Sequence, residues 1–270
     1  MRKGIAIVTA AITTLLLCAL SLGATTALAA PASERASLHA SFSPDRLGAS
    51  TTISYGFHLQ TSEGLAPPPL ASIALYIPAG MNYTLTTLGL AICQPAVLLA
   101  EGVAGCPPNS RLGSGNAFVE VPFGTGSGQE IPEIQAVSGP PTSKGNMVVL
   151  FYANGKAPVS AQLVFQGEVL PDSGVFGSQL LTAVPPVASV PGGSDVSIVS
   201  VNAMIGPSGL TYYKHVHGKL KPFHPLGIGV PEHCPHGGFP FSASFAFQDG
   251  SQASASTTVP CPPPVRRRRK

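Results

Sequence analysis

A strict alternation of apolar and polar residues near the end of the chain constrains the possible folds most strongly. From Phe239 to Phe247, apolar side chains occupy every second position, and the residues between them are small or polar. This period of two is typical of a β-strand with one buried face. A second alternating run, 253–259, follows after a turn. Together the two runs predict a β-hairpin, and because an isolated hairpin is unstable in water, we expect its apolar face to pack against another sheet.

The residues of the turn also predict the register of this hairpin. A two-residue loop of Asp249 and Gly250 would set the phenyl row opposite a polar row. A three-residue loop, 248–250, places Gly250 third, where a left-handed backbone is needed, and puts both apolar rows on one side. Since a slip of one residue moves every side chain to the other face, we predict the three-residue loop. Its pairs are Phe245 with Ala253, Phe241 with Thr257 and Phe239 with Val259.

Shorter alternating segments recur along the rest of the chain. Residues 38–42 and 53–59 predict two strands like those that open an immunoglobulin-like sandwich, with His39 and His58 as possible neighbours on their polar faces. Further strands are predicted at 71–77, 113–121, 147–152, 159–170 and 196–205. Turn segments separate them, in a chain with 30 Gly and 28 Pro. The pattern predicts an all-β fold, with one or two immunoglobulin-like antiparallel β-sandwiches.

One short helix is predicted within this β scaffold. Pro95 suits a first helical position, the residues up to Glu101 continue the helix, and Gly102 can end it. Cys93 and Cys106 flank the segment, which indicates a helix bracketed by a disulfide. The glycine-rich segment 124–128 lacks the lysine and the strand–loop–helix context of a phosphate-binding loop, and we interpret it as a linker.

The predicted domain organisation has four parts. Residues 1–29 form a signal peptide, 30–123 an immunoglobulin-like lobe, 130–262 a second β-rich lobe that ends in the hairpin, and 263–270 a basic tail. In the alternative organisation, the terminal hairpin returns to complete the first sheet.

The first 29 residues have the features of an export signal. Arg2 and Lys3 precede an apolar run, 5–22, and residues 27–29 (Ala-Leu-Ala) supply a cleavage site with small residues at its first and third positions. Cys18 follows a leucine, where a lipoprotein signal would require a small residue. We therefore expect a secreted or cell-envelope-associated protein without another membrane segment.

Four of the five cysteines remain after the signal peptide is removed. An even number outside the cytoplasm indicates disulfides. We predict the two local pairs, Cys93–Cys106 and Cys234–Cys261, which by the chain-entropy argument contribute about 3 and about 3.5 kcal/mol. A zinc site is the alternative, but no C-x-x-C spacing supports it.

A group of histidines near residue 220 is the most distinctive polar feature. His215 and His217 would lie on one strand face, and His224 and His233 follow in a segment interrupted by proline and glycine. Imidazole nitrogens are common ligands of zinc and copper, so the set is a candidate metal site. The alternative is that these are solvated loop histidines.

The charges of the chain are concentrated at its ends. Seven of the 15 basic residues lie in the first three or last five positions, which leaves a body with 8 basic residues against 12 acidic ones. The terminal cluster consists of Arg266, Arg267, Arg268, Arg269 and Lys270. Such a cluster binds polyanions, and an anionic cell-wall polymer or lipid is the predicted partner. The alternative is a disordered, solubilising end. Nucleic acid is not expected for an exported chain with an acidic body.

The motifs of common hydrolases are absent from the sequence. It contains no G-x-S-x-G, H-E-x-x-H or S-x-x-K signature set. Glu130 and Glu133 are close in sequence, but Pro132 between them favours a loop, and we interpret them as surface acids. Tyr212-Tyr213 is the best candidate for an exposed aromatic pair that could bind a glycan. No enzyme activity and no cofactor are predicted.

Two passages carry a resemblance to known sequences. Leu88–Phe118 (LGLAICQ…GCPPNSRLGSGNAF) and Cys234–Pro262 resemble uncharacterised exported β-sandwich proteins of high-GC Gram-positive, actinobacterial type. The resemblance implies an immunoglobulin-like fold and secretion, and it carries no activity or site. We therefore expect an exported, non-catalytic protein with a structural or binding role at the cell envelope. The alternatives are a histidine-rich metal-binding protein and a secreted hydrolase whose site is not visible in the sequence.

Overall fold

The alternating segments form antiparallel strands in the computed structural model, which describes residues 34–83 and 88–262. The all-β prediction is confirmed. In chain order the strands are β1 (Arg35–Ser43), β2 (Ser50–Gln60), β3 (Leu70–Pro78), β4 (Asn82–Tyr83), β5 (Arg111–Phe123), β6 (Gly126–Glu130), β7 (Glu133–Gly139), β8 (Val148–Asn154), β9 (Gln162–Pro171), β10 (Phe176–Ala183), β11 (Ser197–Ile205), β12 (Tyr212–Val216), β13 (Lys219–Phe223), β14 (Ile228–Gly229), β15 (Phe239–Phe247) and β16 (Gln252–Val259).

The terminal hairpin, β15–β16, has the predicted register. Phe239 is opposite Val259, and Phe241 is opposite Thr257. The loop holds three residues, and Gly250 has a φ of +86°. The Asp249 carboxylate accepts hydrogen bonds from the hydroxyl and the backbone N–H of Ser251, and these lower the pKa of Asp249. The local residues of the turn therefore fix which face of the hairpin is buried.

The hairpin packs its phenyl face against the first two strands, as expected. Phe42 of β1 makes an edge contact with Phe239, with ring centroids 5.4 Å apart, and Phe57 of β2 contacts Phe245 at 4.9 Å. In the main sheet the order is β16-β15-β3-β10-β9-β8-β7-β5-β11-β2-β14-β4, with β1 beside β2 and β6 beside β5. Because β1 also lies against β16, the sheet forms a nearly closed, barrel-like sandwich.

The predicted division into two lobes is wrong for the part of the chain that the structure describes. Its residues belong to one compact unit. The hairpin pairs with β3, and β11 lies between β2 and β5, so strands from both predicted lobes alternate in one sheet. The alternative, in which the hairpin returns to complete the first sheet, is confirmed. The immunoglobulin-like topology is not supported, because that fold has two separate sheets.

The disulfide-bracketed helix is confirmed. Helix α1 (Pro95–Glu101) ends at Gly102, whose φ is +65°, and 3₁₀ turns follow at Gly102–Gly105 and Pro108–Ser110. Cys93 and Cys106 are bonded, and so are Cys234 and Cys261. Within residues 34–83 and 88–262, no helix has the length and apolar character needed to cross a bilayer.

Two smaller predictions have different outcomes. The glycine-rich segment is not a linker, because β6 begins at Gly126 and pairs with β5 in a tight hairpin. Glycine can adopt the backbone conformation of the tight turn that precedes β6. His39 and His58 are exposed diagonal neighbours on β1 and β2, with His39 opposite Gly56 and His58 opposite Ser37. The predicted signal peptide and the tail, 263–270, lie outside the described residues.

The left-handed turn gives a direct test of the hairpin register. We expect Gly250→Ala to lower the free energy of unfolding by about 1–2 kcal/mol, because a Cβ is disfavoured at this φ. No neighbouring atom would contact the new methyl group, so the effect isolates backbone strain. Urea unfolding followed by circular dichroism measures it.

Gly126→Ala is the matched control. Gly126 lies on the exposed strand β6 without a positive φ, and a Cβ there would meet only the Phe123 carbonyl oxygen, at 3.9 Å. We expect a change within about 0.5 kcal/mol. Equal losses in the two variants would contradict the assigned turn.

Candidate functional site

The interior of the sandwich contains an apolar cavity of about 200 Å³. We call it the inner cavity. Strands from all sides of the sheet contribute to its wall, including β2, β3, β5, β7–β11 and β15. Representative lining residues are Ile53, Leu75, Phe151, Leu180, Val201 and Phe241. Protein cores contain few voids larger than a water molecule, so a cavity of this size is a distinctive feature of the fold.

The wall on the β3 side shows why the cavity forms. Ile73, Leu75 and Ile77 alternate along β3 toward the interior, as the period of two requires, yet each is only half-buried. The inward phenyl groups of β15 are fully buried in contrast: Phe241 is 1% exposed. One part of the interior is therefore closely packed by aromatic rings, and the other part is lined by aliphatic side chains that do not meet.

A second, smaller chamber of about 100 Å³ adjoins the inner cavity. We call it the outer chamber. The two share the side chains of Ile134, Phe165, Val184 and Ile198 as a common wall. Loop residues of the segments 155–161 and 185–187 cover the outer chamber, which lies toward the Val119 end of β5.

Glu130 holds one of these covering loops in place. Its side chain, at the end of β6, is only 9% exposed. The carboxylate accepts hydrogen bonds from the backbone N–H groups of Lys156, Ala157 and Val159. The interpretation of Glu130 as a surface acid is therefore wrong, whereas Glu133 is exposed as expected. A carboxylate that accepts several backbone N–H groups orders a loop, because each donor would otherwise be left unpaired.

The inner cavity has an almost entirely apolar wall. Tyr55 and Thr182 are the described lining residues that carry a hydroxyl group, and the described lining residues include no charged side chain. The cost of burying an unpaired charge is several kcal/mol. The cavity therefore suits a neutral molecule and disfavours an anion or a cation.

The Tyr55 hydroxyl is buried without a hydrogen-bond partner. Burial raises the pKa of this phenol well above its ordinary value, so the hydroxyl remains protonated. An unpaired buried donor is unfavourable by about 1–3 kcal/mol. The hydroxyl has almost no accessible surface, so the protein encloses it and does not present it to the inner cavity.

The Tyr212 hydroxyl, unlike that of Tyr55, has hydrogen-bond partners. Its side chain is fully buried, its hydroxyl accepts a hydrogen bond from the Gly89 N–H at 2.8 Å and donates one to the Arg111 carbonyl oxygen. Burial raises the pKa of Tyr212, and the hydrogen bond from Gly89 opposes the rise. The prediction of an exposed Tyr212-Tyr213 pair is wrong for Tyr212, because its ring anchors the base of the β12–β13 hairpin.

The histidines do not converge. His215 lies on β12 opposite Leu220, and His217 falls in the turn with a φ of +50°. The Nδ1 of His224 is 3.1 Å from the Leu210 carbonyl oxygen, and His233 lies exposed in a loop. Among the residues that the structure describes, no three His, Cys, Asp or Glu side chains are placed to share a metal ion. The shared strand face predicted for His215 and His217 is wrong, because the turn interrupts the strand.

Comparisons of the chain with models of protein families, with curated proteins and with solved structures return no match.

The two buried tyrosines make a matched pair of variants. We expect Tyr212→Phe to lower the free energy of unfolding by about 1–3 kcal/mol, since it leaves the Gly89 N–H and the Arg111 carbonyl unpaired. Tyr55→Phe removes a hydroxyl that has no partner, and we expect no loss or a gain of up to about 1 kcal/mol. Urea unfolding of both variants and the parent checks this. A large loss in Tyr55→Phe would contradict the unpaired state of its hydroxyl.

Proposed function

We propose that the protein is an exported, non-catalytic binding protein that holds a small, neutral, largely apolar ligand in the inner cavity. The observation that supports this most strongly is the apolar cavity of about 200 Å³ at the centre of the fold. An engineered apolar cavity of about 150 Å³ in another protein stays dry and binds benzene or xenon. A cavity of this size and polarity is therefore sufficient for a ligand of several carbon atoms.

The energetic cost of the cavity supports a role in binding. The half-buried aliphatic side chains of β3 in its wall lack the dispersion contacts that a packed core would give them, which is unfavourable. A ligand that fills the space recovers part of this loss, because it restores dispersion contacts that the lining side chains lack.

The lining residues also favour binding over catalysis. General acid–base or nucleophilic chemistry needs a titratable or nucleophilic side chain in contact with the substrate. Among the described lining residues of the inner cavity, Tyr55 and Thr182 carry hydroxyl groups, and none is a basic partner for them. The ligand class that fits is a hydrocarbon-like molecule with at most one neutral hydrogen-bonding group.

The compartment forms part of the proposal. Two disulfides are typical of proteins that mature in an oxidising environment. The predicted signal peptide supports export. The tail, with an anionic cell-envelope polymer or lipid as its predicted partner, supports a site of action at or outside the envelope.

A pair of dyes tests the proposed ligand class. N-phenyl-1-naphthylamine is neutral, and 8-anilinonaphthalene-1-sulfonate has the same ring system with an added negative charge. We expect the neutral dye to bind with enhanced fluorescence and at least about tenfold more tightly than the sulfonate, because the wall has no cation to pair with it. Titration followed by fluorescence measures both affinities. Equal binding of both dyes would indicate a different site.

A cavity-filling variant locates the binding site. Ala203 of β11 lines the inner cavity, and we expect Ala203→Leu to weaken binding of the neutral dye at least about tenfold while changing stability by no more than about 1–2 kcal/mol. Ala183→Leu, at an exposed position of β10, is the control and should bind the dye like the parent. Unchanged binding in Ala203→Leu would contradict the proposal.

Export is tested by the mass of the protein recovered outside the cells. We expect a chain that begins at Ala30 and lacks four hydrogen atoms relative to the reduced form, because both cysteine pairs are oxidised. Intact mass spectrometry before and after reduction measures both features. A chain that retains residues 1–29, or one with four free thiols, would contradict export as proposed.

A further inference from the structure

The β12–β13 hairpin is a separate two-stranded sheet attached to the main sandwich. Its base is firmly held. Tyr212 is fully buried, and the side-chain amide of Asn109 donates to the Tyr213 carbonyl oxygen at 2.8 Å and accepts from the Tyr213 N–H at 2.9 Å. The rest of the hairpin is exposed up to its turn at His217-Gly218. It is therefore an anchored arm with an exposed tip, which we call the basic arm.

The charges of the basic arm are all positive. Lys214 and Lys221 are directly opposite each other, and Lys219 lies on the same face by strand alternation. Like charges in such a pair are destabilising. No Asp or Glu occurs between Asp195 and Glu232, so the arm has no nearby carboxylate in sequence to offset this repulsion. An anionic partner would relieve it.

The opposite face of the arm carries the pairs Tyr213–Pro222 and His215–Leu220, so apart from His215 it is apolar or aromatic. Leu220 is 59% exposed and Tyr213 is 42% exposed, and both belong to this face with Pro222. Exposed leucine and tyrosine beside lysines match the composition of segments that enter the interface of a membrane, where lysine stems reach back to the headgroups. A soluble polyanion would use the lysines but not Leu220.

We propose that the basic arm docks the protein on the surface of a bilayer that contains anionic phospholipid. The arm lies along the surface, with the face of Leu220 and Tyr213 toward the upper acyl chains and the three lysines of the other face among the headgroups. Strands of five residues extend roughly 16 Å, which lets the arm lie in the headgroup layer while the sandwich stays outside.

The anchor of the arm is adjacent to the inner cavity. Tyr212 bonds to Gly89 and Arg111, and their chain neighbours Leu88 and Leu112 line the cavity. Docking through the arm therefore brings that end of the sandwich toward the bilayer. The proposal does not depend on the ligand-binding function, because it rests on the exposed surface of the arm alone.

Sedimentation with vesicles tests the proposal. The purified chain, and a version that lacks residues 263–270, are mixed with phosphatidylcholine vesicles with and without 30% phosphatidylglycerol. We expect both proteins to bind the anionic vesicles and to dissociate at high salt. The triple variant Lys214→Gln, Lys219→Gln, Lys221→Gln should lose roughly 100-fold in partition coefficient, at about a factor of five for each lysine near the surface. Leu220→Ser should lose several-fold at unchanged charge.

A control variant with the same change in charge separates the arm from the net charge of the protein. Arg46→Gln, Lys144→Gln, Lys156→Gln alters three exposed cations outside the arm and should bind vesicles within about threefold of the parent. Circular dichroism and urea unfolding of each variant report that the sandwich is folded. Three results would overturn the proposal: no vesicle binding, binding that depends only on residues 263–270, or binding that is equally lost in both triple variants. A fourth result would overturn it in favour of a soluble polyanion: the lysine variant loses vesicle binding, Leu220→Ser has no effect, and the parent binds polyphosphate as tightly as anionic vesicles.

Discussion

The contact between the phenyl row of β15 and the first two strands is the interaction on which the rest of the structure depends. β15 and β1 belong to opposite ends of the hydrogen-bonded path, and among the described strands no ladder joins β1 to β16. The sheet is therefore brought round on itself by side chains, through contacts such as Phe42–Phe239 and Phe57–Phe245. Each buried phenyl group contributes about 1.5–3 kcal/mol by burial alone, with a further contribution from ring geometry.

The number of strands explains why the interior is only partly filled. More than eight of the described strands contribute side chains to the wall of the inner cavity, whereas eight are enough to close a sheet whose core is just filled by side chains. Aromatic rings from β1, β2 and β15 fill one part. The aliphatic side chains of β3, β9 and β10 are too short to reach across the remainder, so the inner cavity is a consequence of strand number combined with side-chain length.

Local features were predictable from the sequence, and long-range ones were not. The hairpin register followed from Gly250, and the disulfides from the spacing of their cysteines. The pairing of β3 with β15 left no local signal, because every alternating segment offers a similar apolar edge, and the two-lobe prediction failed for this reason. Glu130 was misread because the loop that it holds is remote in sequence. A hollow interior and a packed one share the same alternating pattern, so the alternation did not reveal the inner cavity.

The place of β15 in the sheet also determines how far apart in sequence the strands that enclose the interior are. β15 pairs with β3, near the start of the described chain, and nearly all the other strands lie between them in sequence. Contacts between such distant segments form late, since the closure of a long loop must come first. The complete wall of the interior therefore requires the closure of a loop that spans most of the described chain, and the entropy of that closure lowers the folding rate.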